Sequence, residues 1–181
     1  AADRHMGWCY VVFGHEVDMI IGSILLIVAL AEIGLAIFFF FGYRRSPATT
    51  WYGLFALSVG LYVLGNAFGY LNWVPGRVGE HLAWLGGVVT AIFFLPFSYT
   101  FPLPRKKLSE LLPLVIWPLA IFVPGILLTN AFVKQQGIFT FGSGYTTSPG
   151  PYIWFMFAFM VVYWGWSIVN IFRSQAASAG L

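Results

Sequence analysis

Five runs of apolar residues, each long enough to cross a lipid bilayer as a helix, govern what this chain can become. They cover about residues 18–42, 50–71, 80–101, 109–132 and 151–172, and a spanning helix needs about 20 residues. In hydrocarbon every backbone N–H and C=O must be satisfied internally, which leaves only helices and closed barrels. A barrel strand would alternate polar and apolar residues over about ten positions. Ile24-Leu25-Leu26-Ile27-Val28 and Ala36-Ile37-Phe38-Phe39-Phe40-Phe41 do not alternate. The expected fold is therefore all-α, an integral membrane bundle of about five transmembrane helices.

Composition supports lipid as the solvent. The chain is 60% hydrophobic and 8% charged, where a soluble domain carries about 25% charged residues. A soluble chain of this size could not hide that much apolar surface. The net charge of +3 is small and the nine basic residues are scattered, so no nucleic-acid footprint is present. Cys9 is the sole cysteine, which excludes an internal disulfide and a thiolate metal cluster.

Basic residues set the expected orientation. Arg44, Arg45, Arg105, Lys106, Lys107 and Arg173 fall on one side, with Arg77 and Lys134 on the other. The positive-inside rule then puts the N terminus outside and the C terminus in the cytoplasm. Residues 1–17 are too short and mixed to cross and are expected on the outer surface, and residues 174–181 form a cytoplasmic tail. Trp73, Trp84 and Trp154 would anchor the outer interface and Trp51 the inner one. Prolines Pro113, Pro118 and Pro124 make a bend in the fourth span the expectation. The glycine-rich stretch from Gly137 to Tyr145 has the pattern of a short hairpin.

The sharpest polar signal is Glu32. It lies about nine residues from the inner end of its span, roughly 14 Å deep at about 1.5 Å per residue. An acidic side chain there costs about 2.5–3.5 kcal/mol on insertion scales, so it calls for compensation. Ser58, Tyr62, Thr90 and Tyr163 stand at equal depth on other spans. Glu32, Tyr62, Asn66 and Thr90 form the expected intramembrane polar centre, either a proton- or ligand-linked site or hydrogen-bonded glue between helices. Small residues four apart, Ala56 with Gly60, Gly65 with Gly69, and Ala83, Gly87 and Ala91, mark helix-packing faces that would also suit a partner subunit.

Nothing in the sequence assembles into a catalytic or metal site. HExxH, GxSxG, the P-loop and the dinucleotide fingerprint are missing. The histidines are His5, His15 and His81, none inside a span and no two at metal-ligand spacing. No cofactor is expected beyond bound lipid, with pigment ligation by His15 or His81 left open. Glu80 and His81 open the third span, where a carboxylate favours a helix N-terminus.

The order of features carries a resemblance. The first span ends in Tyr43-Arg44-Arg45, and a Trp51-led second span follows. The third runs into Phe101-Pro102-Leu103-Pro104-Arg105-Lys106. A proline-bearing span, a longer outer loop and a fifth span ending in Phe172-Arg173 complete the series. Across about residues 17–181 this resembles the N-terminal seven-helix sensor region of bacterial histidine kinases and related signalling proteins. The resemblance implies a non-enzymatic input module in a bacterial cytoplasmic membrane. The chain stops where a sixth and seventh span would begin and has no kinase core, which implies a fragment or a short relative. The residues also leave two other readings open. One is an accessory structural subunit of a larger respiratory, photosynthetic or transport complex. The other is a small proton-coupled transporter subunit using Glu32. The expected partners are lipid together with other membrane subunits or a second copy of the chain.

Overall fold

The computed structural model describes residues 3–42, 46–71, 73, 76–101, 106–129, 131–134 and 148–178. Most of them are helical: α1 (Asp3–Ile37), α2 (Pro47–Leu71), α3 (Gly76–Thr100), α4 (Leu108–Leu127) and α5 (Ile153–Ser178). α1 widens into a π-helical turn over Phe38–Gly42. Five segments are long and apolar enough to cross a membrane: Glu16–Gly42, Pro47–Leu71, Val78–Thr100, Ser109–Leu127 and Ile153–Ala177. The fold is thus an all-α membrane bundle. Arg44, Arg45, Arg105 and the hairpin expected within 137–145 lie outside the described residues, as do the side chains of His5, His15, Arg77 and Lys134.

Local chemistry sets several helix ends. Ser46 and Thr49 cap α2 reciprocally: the Ser46 N–H donates to Thr49 Oγ1 at 2.9 Å, and the Thr49 N–H donates to Ser46 Oγ at 3.1 Å. Pro47 fills the first helical position, where a missing N–H costs nothing. α4 ends at Leu127, short of the residue 132 expected from hydropathy. The Thr129 hydroxyl donates to the Gly125 carbonyl at 2.6 Å and accepts the Ala131 N–H at 3.1 Å. That turn swings Phe132 back onto Phe122, their ring centroids 5.3 Å apart. Beyond it, Val133–Lys134 and Ser148–Pro149 pair antiparallel and close the base of the loop.

Contacts along the helices show an up-and-down arrangement. Gly22 meets Leu71, Gly60 meets Ile33, and Gly53 meets Phe40, so α1 and α2 run antiparallel. Gly65 meets Ala83 and Gly86 meets Tyr62, so α2 and α3 do too. Trp84 packs on Phe157, and Asn170 reaches Ser98, so α3 and α5 run parallel. One end of the bundle therefore carries the α2–α3 turn and the start of α5. The other carries Ser46, Lys106, Lys107 and Arg173.

α3 is the hub. It packs on α2, α4 and α5, whereas α1 packs mainly on α2. Half of the α3 span is buried, against 11% for α1. Val88, Ile92 and Leu95 line a buried face of α3 and meet Leu111, Phe122, Ile126 and Met156 from its neighbours. Large side chains such as Ile27, Phe41, Trp117, Val161 and Phe172 stay on the outside, where lipid is as good a solvent as the core. Helix association must then come from close packing and interhelical polar contacts.

Three such polar contacts tie α3 and α5 to the rest. The Ser58 and Thr90 hydroxyls meet across the α2–α3 seam at 3.1 Å. Asn170 Nδ2 donates to Ser98 Oγ at 3.4 Å between α5 and α3. The Tyr163 hydroxyl donates to the Leu114 carbonyl at 3.1 Å between α5 and α4. Bonds of this kind in membranes average about 0.6 kcal/mol, so they orient helices more than they hold them together.

Candidate functional site

A cavity of about 310 Å³ opens between α2, α3 and α5, lined by Tyr62, Asn66, Glu80, Ala83, Trp84, Gly87, Phe157 and Met160. It lies toward the end of the bundle that carries the α2–α3 turn. Its existence follows from the way α2 and α3 touch. A Cβ on Gly65 would collide with the backbone of Ala83 and sit 2.6 Å from the Gly79 carbonyl oxygen. A Cβ on Gly86 would collide with the Tyr62 backbone. These two glycines let the backbones meet directly, which is the use of small residues in membrane helices. Beside this seam Gly87 has no side chain to fill the space. A Cβ there would lie 3.4 Å from Tyr62 Cδ2 and 3.8 Å from Met160 Cε.

The lining is apolar and aromatic, with a few polar groups. Trp84 from α3 meets the Phe157 ring from α5 edge-on, centroids 5.7 Å apart. Asn66 donates its amide to the Tyr62 carbonyl one turn back at 2.8 Å. That bond leaves the Asn66 carbonyl oxygen as an acceptor. Glu80 supplies the only formal charge among the described lining residues. Its Oε1 is buried and has no hydrogen-bond partner. A buried acceptor without a donor is costly, and native structures hold few of them. An aromatic-walled space of this size with a few convergent polar groups has the character of a ligand pocket.

The residues singled out in the sequence occupy three places. Tyr62 and Asn66 line the cavity, and so does Glu80, whose position at the start of a helix suggested only a favourable end charge. Thr90 does not line it. The Thr90 hydroxyl bonds the Gly86 carbonyl at 2.7 Å and sits in the α2–α3 seam with Ser58. Glu32 lies half-buried on α1, away from the lining. Ala56, Gly60, Gly65 and Gly69 are buried along α2, Ala91 is buried on α3, and Ala83 and Gly87 are half-buried. Trp73 and Trp154 are exposed and Trp84 is half-buried, whereas Trp51 is buried in the core.

At the opposite end Lys106 stands over the Tyr99 ring, 4.6 Å from its centroid, and Lys107 and Arg173 are exposed. A second, wholly different cleft is lined by Val78, His81, Leu82, Leu85 and Leu127. No three His, Cys, Asp or Glu side chains come together among the described residues.

A family described as 7TM diverse intracellular signalling matches residues 18–179. No curated protein and no solved structure matches the chain.

Proposed function

Since the chain belongs to the 7TM diverse intracellular signalling family, we propose that it is the non-catalytic input module of a membrane sensor and that the α2–α3–α5 cavity receives the signal. The observation that carries this reading is Glu80, a carboxyl-bearing residue on the wall of an aromatic-lined space between three helices. An occupant there touches α2, α3 and α5 at once, so it biases their relative positions. A ligand shifts such an equilibrium only by its difference in affinity for the two arrangements.

Charge supports one orientation. Lys106, Lys107 and Arg173 share the end opposite the cavity, and the positive-inside rule places that end in the cytoplasm. The cavity then faces the outer half of the membrane, and α5 runs from the cavity to the inner side. The membrane in this reading is the cytoplasmic membrane of a bacterium.

A distance measurement tests the coupling without any ligand. Cys9 is replaced by serine, and spin labels are placed at Thr50 and Ala176, near the inner ends of α2 and α5. The full chain is then compared in nanodiscs with and without Gly87→Val, which fills part of the cavity. A sensor shows a shifted or redistributed inner-end distance in the filled variant. Identical distributions contradict the reading and favour a static scaffold.

A further inference from the structure

The chemistry of the cavity wall narrows what it can hold. Glu80 is an acceptor-only group when ionised, and no Lys, Arg or His stands among the described lining residues. Asn66 Nδ2 gives one of its two hydrogens to the Tyr62 carbonyl and none to Glu80 Oε1. No described lining residue donates to the Glu80 carboxyl, which leaves the carboxyl group on the cavity wall for a donor that arrives from outside. An anion is repelled by Glu80. A sugar needs more polar partners than Asn66, Glu80 and the Tyr62 hydroxyl provide. A hydrocarbon brings the carboxyl no donor. A cation satisfies it, and the faces of Tyr62, Trp84 and Phe157 attract positive charge as well.

We infer that the cavity binds a small organic ammonium compound, its nitrogen seated on the Glu80 carboxylate and its carbon body among Tyr62, Trp84 and Phe157. This assignment rests on the sensor reading above and names the class of its ligand. The volume of about 310 Å³ suits a one-ring amine, being at the small end of the roughly 300–1,000 Å³ of known ligand pockets. A free amine and the ethanolamine headgroup of a lipid present the same ammonium chemistry, and the two are separated by experiment.

The test uses the full chain in nanodiscs of phosphatidylglycerol, a lipid with no ammonium group. Binding of radiolabelled phenethylamine is measured by equilibrium dialysis against empty discs, with 2-phenylethanol as the neutral match. Saturable amine binding is expected, at least about tenfold tighter than the alcohol, as charge-assisted hydrogen bonds are the stronger kind. Glu80→Gln is expected to weaken amine binding by a similar factor and to leave the alcohol unchanged. Gly87→Val keeps the carboxyl and fills the space, so it should also lose the amine, which covers a Glu80→Gln protein that does not fold. Competition by added phosphatidylethanolamine assigns the ammonium to lipid, and its failure to compete assigns it to a soluble amine. Equal affinity for amine and alcohol, or retained amine affinity in both variants, overturns the assignment, as does no saturable binding at all. The sensor reading is judged separately by the inner-end distances, which require no ligand.

Discussion

Gly86 lies so close to the backbone of Tyr62 that no Cβ fits between them. This contact positions the Tyr62 ring at the cavity and fixes how near α2 can come to α3. The cavity is therefore a consequence of backbone contact on one side and of the missing side chain at Gly87 on the other.

The two adjacent glycines should respond unequally to substitution. Gly86→Val forces α2 and α3 apart and should cost about 1–3 kcal/mol or more, the range for overpacking. Gly87→Ala meets only ordinary van der Waals contacts, the nearest at 3.4 Å, and should stay within about 1 kcal/mol of the parent. Reversible unfolding in mixed detergent micelles measures both. A Gly86→Val protein as stable as the parent would mean that the helices do not touch there.

The polar ties of α5 should prove weak. Asn170→Leu removes the donor to Ser98, while Ser98 keeps its own bond to the Leu95 carbonyl at 2.6 Å. Tyr163→Phe removes the donor to Leu114. Each should cost about 0.6 kcal/mol and no more than about 1.7. The same unfolding assay decides, and a loss of several kcal/mol would show that these bonds do more than orient α5.

Orientation makes a prediction about access. In a protein with Cys9 replaced by serine, Trp73→Cys should react with a membrane-impermeant maleimide on intact cells. Lys107→Cys should react only after the membrane is opened. The reverse pattern would put the cavity on the cytoplasmic side.

Much of the bundle was legible in the apolar runs, because lipid leaves the backbone no alternative to helix. The pairing of α2 with α3 was not read from the sequence, which singled out Gly87 rather than Gly86 on α3; its register shows only in the contacts. Steps of three and four from Gly65 to Tyr62 to Ser58 are matched by the same steps from Ala83 to Gly86 to Thr90. The end of α4 was not legible from hydropathy, since Phe132 is apolar whether it continues a helix or folds back onto Phe122. The cavity was legible in part. Tyr62 and Asn66 stood out as polar groups inside a span. Glu80 did not, because an acidic residue in the first turns of a helix has an ordinary electrostatic reason to be there. The signal that would have found it is the short turn around Trp73. Asn66 and Glu80 stand equally far from Trp73 along the chain, so an antiparallel hairpin brings them to one height. Depth alone drew attention to Glu32, but depth does not say which helix a residue faces, and α1 packs mainly on α2.

The reactivity of a thiol placed at Glu80 tests the central claim most directly. In the Cys9-to-serine background, Glu80→Cys should react with the small permeant reagent N-ethylmaleimide, and the labelled protein should remain folded, since the cavity has room for the adduct. Val88→Cys, on the same helix but in the closed core, should stay unreactive until the protein unfolds. Equal protection of the two thiols would mean that α2, α3 and α5 enclose no accessible space at Glu80.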